Sequence, residues 1–116
     1  MSYPRMATLV SKLSLKTQAG EVRWEETGEE RTYQASFPGY AVHVFPRGED
    51  YILQIFNDDG NLIEEVSDRD LTSYMGNAYI QMKELYELAR RNAMGVEQAL
   101  DKILSCLDGE DDDIPY

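Results

Sequence analysis

Four places in this 116-residue chain hold side chains of the kinds that do chemistry: the run Asn57-Asp58-Asp59-Gly60, the lone histidine His43, the lone cysteine Cys106, and glutamate pairs at 25–26, 29–30 and 64–65. Spacing tests each of them. A calcium loop needs oxygen ligands at its first, third, fifth and twelfth positions and glycine at its sixth. Setting Gly60 at the sixth puts Ile55 first and Val66 twelfth, and neither can ligate a hard cation. The run reads instead as a hairpin turn. His43 lies between Val42 and Val44, and an imidazole acts as a general base only where another group orients it. Cys106 could complete a thiol nucleophile with His43, but it falls inside the apolar pattern of the last helix, where free cysteine packs as a small buried hydrophobe. Adjacent glutamates on a strand point to opposite faces, so the pairs do not converge across one substrate as glycoside hydrolysis requires. No glycine-rich loop opens a helix after a strand, and no Gly-Lys-Ser or Gly-Lys-Thr is present to cradle a nucleotide phosphate. These residues predict no catalytic group, no metal ligand and no cofactor. The minority alternative is a small enzyme without a recognisable motif, its pocket around His43 or Tyr33.

The elements that position these residues follow from hydrophobic period. Met6, Leu9, Val10 and Leu13 recur at three and four positions between Pro4 and Gln18, a helical stripe closed by Gly20. From Glu21 the period becomes two. Val22 and Trp24, then Tyr33, Ala35 and Phe37, mark two half-buried strands; Tyr40–Phe45, ended by Pro46-Arg47-Gly48, and Tyr51–Phe56 are the third and fourth; Leu62–Val66 is the fifth. Short connections predict an antiparallel meander. Strands three and four are apolar on both faces, so either helices cover both sides or one side is a contact surface. Asp68, Asp70, Thr72 and Ser73 supply caps for a helix whose stripe runs from Met75 to Ala89, with Tyr74, Tyr79 and Tyr86 near one side. Val96 to Leu107 carries a second stripe, predicted to pack on the first as a hairpin. The fold class is α+β: an N-terminal helix, a five-stranded antiparallel meander and a C-terminal helical hairpin, one domain over 1–109 with an acidic tail at 110–116.

Charge sets the partners. The chain has a net charge of -11, distributed unevenly: residues 1–20 hold three bases and no acid, residues 21–70 thirteen acids against four bases, residues 71–107 balance, and 108–116 add five acids. Such a surface repels phosphates and anionic headgroups, which predicts no direct nucleic acid and no membrane unless Arg5, Lys12 and Lys16 form a local patch, and favours a basic protein partner. One cysteine, no run of eighteen apolar residues and no leader-like start predict a cytoplasmic protein. A small acidic chain with helices around a short antiparallel meander resembles secretion-chaperone-like proteins, and the resemblance implies a module that holds another protein. The primary expectation is therefore an acidic, non-catalytic protein-binding adaptor or regulator, of a bacterial or phage kind. Its expected contact residues are Phe45, Ile52 and Phe56 on the sheet and Tyr79 and Tyr86 on the long helix, residue types that interfaces favour. A homodimer through strand edges or the Phe45, Ile52, Phe56 face accounts for the doubly apolar strands. The alternative is an inhibitor whose carboxylates mimic nucleic acid in the channel of a DNA- or RNA-binding protein. Against it, Arg23, Arg31, Arg47 and Arg69 interrupt the acids.

Overall fold

The computed structural model describes residues 3–109. In chain order the elements are α1 (Tyr3–Gln18), β1 (Trp24–Glu26), β2 (Tyr33–Phe37), β3 (Tyr40–Arg47), β4 (Asp50–Asn57), β5 (Leu62–Ser67), α2 (Asp68–Leu71), α3 (Ala78–Met94) and α4 (Val96–Leu107). The strands form one antiparallel sheet in the order β1-β2-β3-β4-β5, so the class is α+β with a simple meander. The acidic tail lies outside the described residues. Among those described, no helix is long and apolar enough to cross a membrane.

Alternation along the strands sorts side chains onto two faces. One face carries two rows in register, Trp24, Ala35, Val42 and Ile55, and Tyr33, Val44, Leu53 and Val66. Against them pack Val10 and Leu13 of α1, Leu71 of α2, and Met82, Leu85 and Ala89 of α3, closing a single core. Fully burying a side chain such as Leu53 or Leu85, both 0% exposed, stabilises by about 1.5–3 kcal/mol. Helices α1, α2 and α3 lie on this one side. Of the two arrangements the doubly apolar strands left open, the fold adopts the one with a bare face.

A buried joint ties the helices to the sheet edge. The indole N–H of Trp24 donates to Thr17 Oγ1 at 2.9 Å, and the Trp24 backbone N–H donates to Asn92 Oδ1 at 2.7 Å. Together these bonds fasten β1 to the C-terminal ends of α1 and α3.

Several boundaries differ from those the sequence implies. The caps at Asp68 and Asp70 serve not the long helix but the four-residue α2: Ser67 Oγ accepts from the Asp70 N–H and Asp70 accepts from the Ser67 N–H, a capping box. Helix α3 begins only at Ala78, so Tyr74 lies before it, against Tyr3. Strand β3 continues through Pro46, because Pro46 sits beyond the last β2 partner, Tyr33 opposite Val44, where a missing N–H costs no ladder bond. Both C-terminal helices form, joined at Gly95 with φ of 67°, but α4 buries none of its residues. Its stripe of Leu100, Ile103, Leu104 and Leu107 stays in solvent instead of packing into a hairpin core.

Candidate functional site

The bare face is built by the residues between those of the core. Across all five strands Glu25, Gln34, His43, Gln54 and Glu65 stand opposite one another in register, forming a polar row through the middle of the sheet. On one side of this row lie Ala41 and Phe56, and on the other Phe45 and Ile52.

The row is hydrogen-bonded within itself. His43 Nε2 and Gln34 Oε1 are 2.8 Å apart, Gln34 Nε2 donates to Ser36 Oγ at 3.0 Å, and Gln54 Nε2 donates to Glu65 Oε1 at 2.7 Å. Arg47 closes the end by donating to both oxygens of Glu65, at 3.2 and 3.3 Å, with its guanidinium 5.4 Å from the Phe45 ring centre. The His43 and Phe56 rings lie 4.6 Å apart. Burial holds the His43 imidazole below the ordinary histidine pKa, favouring the neutral ring. Hydrogen bonds from Gln54 and then Arg47 hold the Glu65 carboxyl below the usual carboxylate range. The result is a platform of aromatic rings and amides on which Gln34, His43, Gln54 and Glu65 have partners, while Glu25 at the β1 edge is exposed to solvent. At its turn end a hollow of about 480 Å³ opens beside His43, Phe56 and Tyr40.

Of the five residues marked as contacts, Phe45 and Phe56 lie half-buried on this face. Ile52, cross-strand from Phe45, is only 3% exposed, so it supports the face without presenting much surface. Tyr86 is 4% exposed and belongs to the core, its ring 5.7 Å from Tyr33 and 5.5 Å from Tyr51. Tyr79 is exposed at the other end of that tyrosine row, 5.6 Å from Tyr51, at the mouth of an open cleft of about 530 Å³. The cleft holds acids and bases together, with Asp50 paired to Arg69 and the buried Asp68 accepting from the Tyr51 N–H at 2.8 Å. Burial raises the pKa of Tyr33 and Tyr51, whose phenols stay protonated.

The remaining candidates are placed apart. Asn57–Gly60 forms the β4–β5 turn, with Asn57 Oδ1 accepting from the Asp59 and Asn61 N–H groups. Glu64 and Glu65 point to opposite faces of the sheet. Cys106 is half-buried on α4, not enclosed as its pattern implied, and shares no element with His43. Among the described residues, no group of three or more His, Cys, Asp or Glu side chains could hold a metal ion. The polar row Gln34, His43, Gln54, Glu65 was missed in the sequence, where only the strand register could have brought these four residues together. No protein-family model, no curated protein and no solved structure matches the chain.

Proposed function

We propose that the protein is a non-catalytic binding module of the cytoplasm that holds a basic protein partner against the bare face of its sheet. The observation carrying this reading is a sheet face without a helix over it, where Phe45, Phe56 and Ala41 flank a hydrogen-bonded polar row. The centre of the face, where Gln34, His43, Gln54 and Glu65 are hydrogen-bonded, can be covered by a partner with fewer orphaned groups than a bare polar surface would leave, and leaving such groups unpaired is the costly step in burying them. The Phe45 and Phe56 rings and Arg47 are of residue types enriched at interfaces. The net charge of -11 steers a basic partner and raises its rate of encounter. The absence of catalysis is supported by His43, whose ring meets Gln34 and Phe56 rather than a carboxylate or thiol. Charge mimicry is the weaker reading, because Arg47, Arg69, Arg90, Arg91 and Lys16 each pair with an acid and break up the anionic surface.

The test places a photo-crosslinking residue at position 41 and, as a control, at the exposed position 83 on α3. The expected result is a cross-linked protein specific to position 41, recovered less at high salt and lost when Phe56→Glu is added. Equal recovery from both positions, or none, would refute the reading.

A further inference from the structure

The apolar stripe of α4 is the least accounted-for surface of the fold. A twelve-residue helix is marginal on its own, and helices of this length normally hold by packing an apolar face. Here Leu100, Ile103, Leu104 and Leu107 are 42%, 54%, 55% and 76% exposed. We propose that a second copy of this chain covers the stripe: α4 of each copy docks on α1 of the other, in a two-fold exchange.

Charge selects α1 as the receiving surface. It bears Arg5, Lys12 and Lys16 in a segment without an acid, while α4 bears Glu97 and Asp101, with Asp108 as its C-cap in helical backbone. At 100° per residue each triplet falls within about 40° of its helix circumference, so each is a stripe along one flank. Arg5 and Lys12 are separated by seven positions, as are Asp101 and Asp108, about 10.5 Å along either helix axis. Two ion pairs therefore form together whichever way the helices run. None of these four makes an ion pair among the described residues, whereas Lys16 and Glu97 hold exposed pairs with Glu21 and Arg91 that can persist.

Shape agrees with charge. Beside the basic stripe, a groove of about 490 Å³ runs between α1 and strands β4 and β5, with Met6, Leu9 and Ile55 on its walls, Arg5 and Lys12 on one rim and Glu64 on the other. It offers the α4 leucines an apolar seat. Two α4 helices laid antiparallel against each other would instead bring their acid flanks to the same side, lining one seam with six carboxylates. The four α4 residues expose roughly 400 Å² per copy, and covering two such patches completely with matching surface removes at most about 1,600 Å², within the range of a stable interface. In the proposed two-fold exchange each copy gives its α4 to the other's α1, so the two contacts close the assembly at two copies.

The test is sedimentation velocity of the full chain from 1 to 100 µM, a range chosen to bracket roughly micromolar affinities. The expected result is a species of twice 13.3 kDa for the wild type. Arg5→Glu/Lys12→Glu should weaken dimerisation at least tenfold. Arg23→Glu/Lys83→Glu, which changes net charge equally at exposed sites off the groove, should leave it within about twofold. Adding Asp101→Lys/Asp108→Lys to the first pair restores complementarity and should restore the dimer. A benzoylphenylalanine at position 104, which lies at the edge of the leucine stripe toward the acid flank, should cross-link to α1 of another copy in an otherwise wild-type chain. A monomer at 100 µM, a cross-link only within one chain, or a dimer insensitive to the Arg5/Lys12 reversal would overturn the proposal. A dimer lost instead through Phe56→Glu would move the interface to the sheet face, and capture of a different protein at position 41 leaves this test unaffected.

Discussion

Replacing Thr17 with valine asks whether the buried joint at Trp24 holds the fold as its geometry implies. Trp24 is 2% exposed and Thr17 is 6% exposed, and the 2.9 Å bond between them gives the indole N–H its partner. Valine has nearly the shape of threonine, so Thr17→Val leaves packing in place and orphans a buried donor, at a cost of about 1–3 kcal/mol. Serine keeps the hydroxyl and removes one methyl, a loss of about 0.8 kcal/mol. Burial of apolar surface alone would rank valine above serine; the hydrogen bond reverses the order. At about 2 kcal/mol the valine variant should melt roughly 6–12 °C lower for a domain of this size. Trp24 is the sole tryptophan, so urea unfolding can be followed by its emission, with the valine midpoint below both serine and wild type. In a Trp24→Phe background, followed by circular dichroism, the valine penalty should vanish because no N–H remains to be orphaned. Valine equal to or more stable than serine would refute the reasoning.

Ser67→Ala removes the acceptor half of the α2 capping box and should cost about 1 kcal/mol, read as a lower urea midpoint with unchanged slope. Gly95→Ala should cost about 1–2 kcal/mol through its φ of 67° alone, since an added Cβ meets only Gln98 Oε1, at an ordinary 3.6 Å; an unchanged melting temperature would contradict this. His43 gives a pH signature. Its folded pKa lies below 6.5, so the unfolded chain binds the proton more readily, and stability present above pH 6.5 falls as pH drops through that value toward the folded pKa. The Glu65 contribution, from a carboxyl pKa lowered from 4.5, is lost only below pH 4.5, so the windows separate. Melting temperatures from pH 7.5 to 5 should decline in the wild type and flatten in His43→Gln.

The strands were legible because their period-two pattern is strong, and even the double apolarity of β3 and β4 pointed to the surface that proved bare. What sequence could not assign was membership. Tyr86 and Tyr79 are the same residue type on one helix, yet Tyr86 faces Tyr33 and Tyr51 in the core while Tyr79 reaches solvent, a difference set by where α3 crosses the sheet. The caps near Asp68 were visible, but their owner was not, because a four-residue helix has too few positions to show a period. The α4 stripe was read as packed since amphipathic pattern says that a face is to be covered, without saying which chain covers it. The row from Gln34 to Glu65 joins residues up to 31 positions apart, and only the register brings them together.

The strict sequential order of the sheet also has a consequence during synthesis. Every strand pairs with its neighbour in the chain, so the meander can zip as soon as Ser67 has emerged, through local loops with small closure entropies. Its inner wall, Val42, Val44 and Leu53, is covered by α3, which ends 27 residues later. At translation rates of roughly 5–20 residues per second, the nascent sheet waits on the order of 1–5 s with its outer face wet and its inner face covered by α1 alone. In that interval the two long, doubly apolar strands are most exposed to neighbouring nascent chains. A nascent chain whose emerged part ends between residues 67 and 94 would therefore be more aggregation-prone than one that ends before the fourth strand or after the third helix.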